Sequence, residues 1–294
     1  MAYTSSPSDR ASDQIYDELR LDSGNSANIR LLKLRFDNTS SSIKCEVISS
    51  SLNCKAHYTA VSYLWGGASA GDKGRAVPVR HNLWRLLHQL TEEHYEGFLW
   101  IDALCIQQTN IAERNHQVAI MGQIYASANE VLVWLTMEPR ESRKECILSN
   151  VGLLKKQEPF LRLLSRNEYW TRAWILQECV LANRVTLKYG PSVVSEDALY
   201  DQLLFEDVTF SRCLEESAML SIVRLRHRLK HGHRIMSTLF DILNDEHRPM
   251  LCSDPRDRIH SVFSLVSPEE RDIYPIHPDY AKPATELLFE FTKR

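Results

Sequence analysis

The segment Tyr169–Cys179, YWTRAWILQEC, concentrates groups that can do chemistry. Read as part of a helix over Glu168–Ala182, it spaces Trp170, Trp174 and Glu178 four residues apart, on nearly one face. A carboxylate beside an indole ring is partly desolvated, which raises its pKa. Such a group can act as acid, base or charge stabiliser. The alternative is structural: the tryptophans fill the core and Glu178 pairs with an arginine such as Arg114 or Arg172. From residue types alone the structural reading weighs more.

A second cluster is WIDALCIQQ, Trp100–Gln108. Asp102 falls near the C-terminal end of an apolar run that reads as a buried strand. Ligands of open α/β sheets bind beyond such ends, and a charge there is costly unless it serves a partner or a ligand. Asp102 either edges a ligand pocket or caps the next turn or pairs with Arg114. A third is SYLWGG, Ser62–Gly67, where a strand runs into Gly66 and Gly67 and backbone amides can approach a ligand. It is neither GxGxxG nor a P-loop, and a simple tight turn is the plainer reading. Weaker candidates are Cys105 with His81 or His116 as a thiol nucleophile, and His227 and His231 as zinc ligands. The former reads as a buried thiol, and the latter lack the Glu of HExxH. The basic run Arg224–Arg234 reads as a solvated helix face, and DPRDR, Asp254–Arg258, as a helix start with Pro255 at its first position.

The elements that must position these groups follow from periodicity. Ile29–Phe36 and Ile43–Ser49, around the turn-rich DNTSSS, predict a β-hairpin. Strands are expected at Tyr58–Leu64, Phe98–Ala103, Glu130–Leu135 and Val185–Tyr189. Helices are expected at Asn82–Glu93, Ile111–Ala128, Glu145–Leu154 and Glu168–Ala182. Repeated β-α units imply a parallel sheet with helices on both faces. After Ser195 the pattern is helical and charged. This divides the chain into a flexible leader at 1–27, an α/β domain at 28–194 that includes the hairpin, and a helical C-terminal extension at 195–294 packed on the core. Phe291–Arg294 falls inside a continuing helical pattern, as a truncated chain would end.

The 294 residues carry 35 basic and 38 acidic side chains, a net charge of −3, which argues against a general nucleic-acid coat. No apolar run is long enough to span a membrane, and the start has no apolar signal-peptide core. Seven scattered cysteines without a CxxC pair read as reduced thiols, hence a cytoplasmic expectation.

Taken together, YTAVSYLWGG, FLWIDALCIQQTNIAERNHQVAIMGQIYASANEVLVWL and YWTRAWILQECVLA resemble, in order and spacing, the conserved blocks of the fungal HET (heterokaryon incompatibility) domain. IRLLKL before them, and DPRDRIHSVFSL and PDY after them, support it. Gln107 stands where that family usually has Asn, and glycines rather than an acidic residue follow Trp65. The resemblance implies a trigger of programmed cell death and non-self recognition. HET domains are in turn similar to TIR domains, flavodoxin-like parallel sheets, many of which hydrolyse NAD⁺ through a Glu in a WxxxE helix; Trp174–Glu178 fits that pattern. The resemblance therefore implies Glu178 as the catalytic carboxylate engaging the ribose, and Trp174 or Trp65 as a stacking platform. It implies Ser62, Tyr63, Gly66 and Gly67 around the ligand loop, and Asp102 at the pocket edge. NAD⁺ enters as substrate, with no resident cofactor and no metal. Cleavage builds an oxocarbenium-like ribose, which one carboxylate can stabilise, and nicotinamide is already a cationic leaving group. Self-association and an activating protein partner are expected, and neither membrane nor nucleic acid. The competing reading is a signalling adaptor without catalysis, which a site blocked by packed tryptophans would favour.

Overall fold

Short runs of aliphatic and β-branched residues, too apolar for any edge position, meet at the centre of one seven-stranded sheet. The computed structural model describes residues 16–21, 27–35, 43–54, 56–65, 79–136, 158–205, 217–231, 251–273 and 276–292. The strands are β1 (Asn28–Arg35), β2 (Lys44–Ser51), β3 (Tyr58–Tyr63), β4 (Phe98–Trp100), β5 (Glu130–Leu135), β6 (Val185–Tyr189) and β7 (Ser192–Ser195). Their order is β2-β1-β4-β3-β5-β6-β7. The four central strands, β4-β3-β5-β6, are parallel. Numbered in chain order they run 2-1-3-4, the order of flavodoxin-type sheets, whose switch point lies between β3 and β5.

The expected α/β architecture holds, with two additions. The N-terminal hairpin joins the sheet itself, β1 pairing antiparallel with both β2 and β4. A second hairpin, β6–β7, closes through Gly190, whose φ of 56° suits the first central position of a tight hairpin turn.

Alternation along β3 sorts the two faces. Val61 and Tyr63 point into a core with Leu83, Leu86, Leu87 and Leu90 of α1 (His81–Glu92). Tyr58 and Ala60 join the opposite core. That side is covered by α4 (Met121–Ser127), α5 (Glu158–Ser165) and, from the extension, α7 (Ala218–Lys230), while α3 (Ile111–Ala119) is tied to β1 by the Glu113–Arg30 ion pair. Between α5 and α7 in the chain lies α6 (Glu196–Phe205). Beyond α7 follow α8 (Asp257–Phe263), α9 (Pro268–Ile273) and α10 (Ala284–Thr292).

Three expected elements differ. The strand from Phe98 ends at Trp100, and Asp102 opens α2 (Asp102–Cys105), its Oδ1 accepting from the Ala103 N–H at 2.7 Å. The helix over Ile111–Ala128 breaks at Ile120 (φ −100°, ψ 4°), which lets α4 lie against α8. There Gly122 is required: a Cβ would stand 2.5 Å from Ser264 Cβ. The helix over Glu168–Ala182 is not continuous. A 3-10 turn, Glu168–Thr171, gives way to extended backbone at Arg172, which bridges to Leu251, and then to a π-turn, Leu176–Val180. The pull of that bridge, Leu251 N–H to Thr171 O at 2.7 Å and Ala173 N–H to Leu251 O at 3.0 Å, explains the break.

Gly66, Gly67, the DNTSSS turn, the helix expected at Glu145–Leu154 and His233 lie outside the described residues. Within the leader, Tyr16 and Leu21 are buried, and Tyr16 donates to Leu104 O. Among the described residues no helix is long and apolar enough to cross a membrane.

Candidate functional site

Ser62 stands two residues along β3 from Ala60 and shares its face, where it meets the π-turn. Its hydroxyl donates to Glu178 Oε2 and lies 2.5 Å from the Tyr169 hydroxyl, which is in turn 3.2 Å from Cys179 Sγ. Each of these groups carries one proton. Ser62 spends its own on the carboxylate, so Tyr169 donates to Ser62 and Cys179 to Tyr169. Burial pushes the Cys179 thiol up to about 12 and the Tyr169 phenol well above its ordinary range, so both keep their protons.

The remaining face of Glu178 is taken by Arg172 in a two-pronged ion pair, Nη1–Oε2 at 2.9 Å and Nη2–Oε1 at 3.0 Å. The Glu178 side chain is 1% exposed and that of Arg172 13%. Burial works against the guanidinium charge, but Glu178 more than offsets it and lifts the arginine's pKa above its ordinary value.

Beyond Arg172 opens a cleft of about 730 Å³ at the carboxyl ends of β3 and β4, lined by Trp65, Asp102, Arg114, Arg172, Trp174 and, from the extension, Leu251–Asp254, Asp257 and Tyr280. Its size is ordinary for a small-molecule site. Both indoles are held by carboxylates. Trp65 Nε1 donates to Asp102 Oδ2 at 2.9 Å, and Trp174 hydrogen-bonds Asp257. Burial, with Glu178 nearby, raises Asp102 to about 6 against the pull of Arg172 and Trp65. Arg114 lies 3.5 Å from the Tyr280 ring centre and 3.7 Å from Asp254. Asp254 is also bound by Arg256, whose guanidinium holds it below the usual carboxylate range.

The extension also braces the turn from behind. Arg226 of α7 is buried and donates to Cys179 O at 2.6 Å and Ala182 O at 2.5 Å, and it pairs with Glu196. Gln177 Nε2 donates to His260 O at 2.5 Å. Burial lowers His260 to about 4, so its ring is neutral.

Of the expected site residues, Trp65, Asp102 and Trp174 line one cleft, and Ser62 and Glu178 meet directly beneath it. Tyr63 does not join them: strand alternation turns it into the core under α1. Trp170 leaves the expected face because the helix breaks, and its Nε1 donates to Leu164 O. Arg172 is the arginine that pairs with Glu178; Arg114 turns to Tyr280 and Asp254 instead. Cys105 is buried, its thiol pushed by burial up to about 12. His227 stacks between Tyr200 and His231. Arg226 departs from the solvated face expected of its basic run. The roles of Asp257 and Tyr280 were not foreseen, although DPRDR and PDY stood out as motifs.

Residues 58–178 match the family model described as Heterokaryon incompatibility protein (HET). The chain is similar to Heterokaryon incompatibility protein 6, OR allele, of Neurospora crassa, at 35% identity over 138 residues, which are 41% of this chain and 20% of that protein. It thus spans about a fifth of the length of the curated relative it matches. No solved structure matches the chain. The first two sequence blocks, the third as far as Glu178, and the parallel strands β3, β4 and β5 fall within the matched span: over residues 58–178 the chain is similar to the HET domain.

Proposed function

We propose that this chain is an effector module of heterokaryon incompatibility, acting in non-self recognition and cell death, and that its cleft cleaves NAD⁺ in the manner of TIR-like domains. Water adds at the anomeric carbon of the nicotinamide ribose, the N-glycosidic bond breaks, and nicotinamide, ADP-ribose and a proton result. The observation that carries the reading is Glu178, fixed by Ser62 directly behind a cleft walled by Trp65 and Trp174 at the carboxyl edge of the parallel strands. Once uncovered, its carboxylate stabilises the ribose cation, and the indoles offer flat apolar walls to nicotinamide or adenine. Nicotinamide departs as a neutral base, so no second acid is needed.

The burial of Glu178 favours a second reading, an adaptor that acts through assembly alone. Under the first reading the same burial is a resting state, opened when the protein self-associates or meets an activating partner in the cytoplasm. Incubating concentrated protein with NAD⁺, beside Glu178→Gln, separates the two. Release of nicotinamide that the variant lacks supports the enzyme. Release equal in both removes Glu178 from the chemistry, and none from protein that has been driven to assemble supports the adaptor.

A further inference from the structure

We propose that Arg172 is the receptor for the phosphate groups of the cleft's ligand, and that it binds them by leaving Glu178. Phosphate binding and uncovering of the carboxylate are then a single exchange. This rests on reading the cleft as a nucleotide site.

Four observations converge. Arg172 lies between Glu178 and the cleft, being both a lining residue and the partner that buries the carboxylate. Its guanidinium already makes a parallel two-pronged contact with an oxyanion, the geometry that a phosphate reproduces with more charge. Its backbone is held on both sides by the bridge to Leu251, so the side chain can swing without displacing its own strand. Glu178 is not abandoned by the exchange, since Ser62 still donates to it.

The charges of the cleft make this arginine necessary. Asp102, Asp254, Asp257 and the exposed Glu168 all line it and would repel a diphosphate. The three aspartates are already engaged: Asp102 by Trp65 and the Ala103 N–H, Asp254 by Arg256, and Asp257 by Tyr280 and Trp174. Arg114 is the other basic residue in the described lining, and it rests on the Tyr280 ring. The substrate class follows. A dinucleotide uncovers Glu178 by means of its own pyrophosphate, whereas a nucleoside without phosphate enters a cleft whose carboxylate stays clamped.

The test is calorimetric titration of the whole chain with inorganic pyrophosphate at low salt. Glu178→Gln keeps an acceptor for Ser62 but removes the charge that competes for Arg172. It is expected to bind pyrophosphate about tenfold more tightly than the unaltered protein. Arg172→Gln is expected to lose binding. If that variant melts early, Arg172→Lys, which keeps the charge but not the two-pronged fork, is expected to bind severalfold more weakly. Equal or weaker binding by Glu178→Gln overturns the proposal. So does undiminished binding by a folded Arg172 variant, or binding by neither Glu178→Gln nor the unaltered chain. None of these readouts requires cleavage. The expected binding pattern without any nicotinamide release would sink the catalytic reading and leave the receptor standing; release with the wrong pattern would do the reverse.

Discussion

Arg226→Met asks how much the extension contributes to the turn that carries Glu178. The arginine is fully enclosed and serves the carbonyls of Cys179 and Ala182 with bonds of 2.6 and 2.5 Å, besides its ion pair with Glu196. Methionine fills much of the same space and donates nothing. Each buried carbonyl left without a donor costs about 1–3 kcal/mol. Glu196 is not wholly stranded, because Lys230 holds its other oxygen at 2.9 Å. The total is about 3–5 kcal/mol, the usual cost of breaking a buried pair from one side. For a chain of this size that lowers Tm by roughly 10 °C. Urea unfolding followed by circular dichroism measures it. Because burying an ion pair is itself expensive, the double variant Arg226→Met with Glu196→Leu is expected to recover part of the loss. A loss below about 1 kcal/mol for the single variant would refute the reasoning, since it would mean that the carbonyls find water or relax away.

Further outcomes follow from the same contacts. Asp102 is raised in the fold to about 6 from 3.8. The folded protein therefore binds its proton more tightly than the unfolded chain, and stability falls as pH rises through that window, by about 3 kcal/mol at most. Asp102→Asn is expected to flatten this part of the stability profile between pH 4 and 7, less about 1 kcal/mol for the hydrogen bond one amide oxygen cannot replace. His260 works oppositely. Its pKa falls from 6.5 to about 4 on burial, so its contribution is whole above pH 6.5 and is lost as pH drops through 4. An NMR titration should find its ring unprotonated at pH 5.5. Gly122→Ala is expected to cost about 1–3 kcal/mol by prising α4 from α8. Ser264→Gly should restore it where Ser264→Ala does not, because the clash is with Ser264 Cβ itself; thermal melts of the three variants decide.

What was legible in the sequence was local. Strands β3, β5 and β6 follow from short apolar runs and α1 from Leu83, Leu86, Leu87 and Leu90 at helical spacing, and these fall within a residue or two of their observed bounds, while β4 stops three residues early. The break in the helix over 168–182 carries no such local mark. Nothing near Arg172 forbids a helix; the cause is Leu251, far along the chain, which pairs with its backbone. Tyr63 stands apart from the cleft lining for the opposite reason: the resemblance names it beside Ser62, but a strand sends neighbours to opposite faces. Arg172 was one of two arginines offered as partners for Glu178, and only packing could choose between them.

The matched segment ends at Glu178, yet much of what holds Glu178 in place comes later in the chain. Arg226 closes the far end of its turn, His260 O receives Gln177, Leu251 straightens Arg172, and Asp257 holds Trp174. Met219, Leu220, Ile222 and Val223 of α7 are buried in the same core as Tyr169 and Leu176. A protein cut before residue 217 would expose that apolar face and leave the turn without its donors, whatever the intrinsic preference of the turn's own residues. Such a piece is expected to show enhanced binding of hydrophobic dyes, lost tertiary circular dichroism and no pyrophosphate affinity. If it instead binds pyrophosphate as the whole chain does, the Arg172–Glu178 pair is set by residues up to Glu178 alone, and the extension is a neighbour of the cleft rather than its wall.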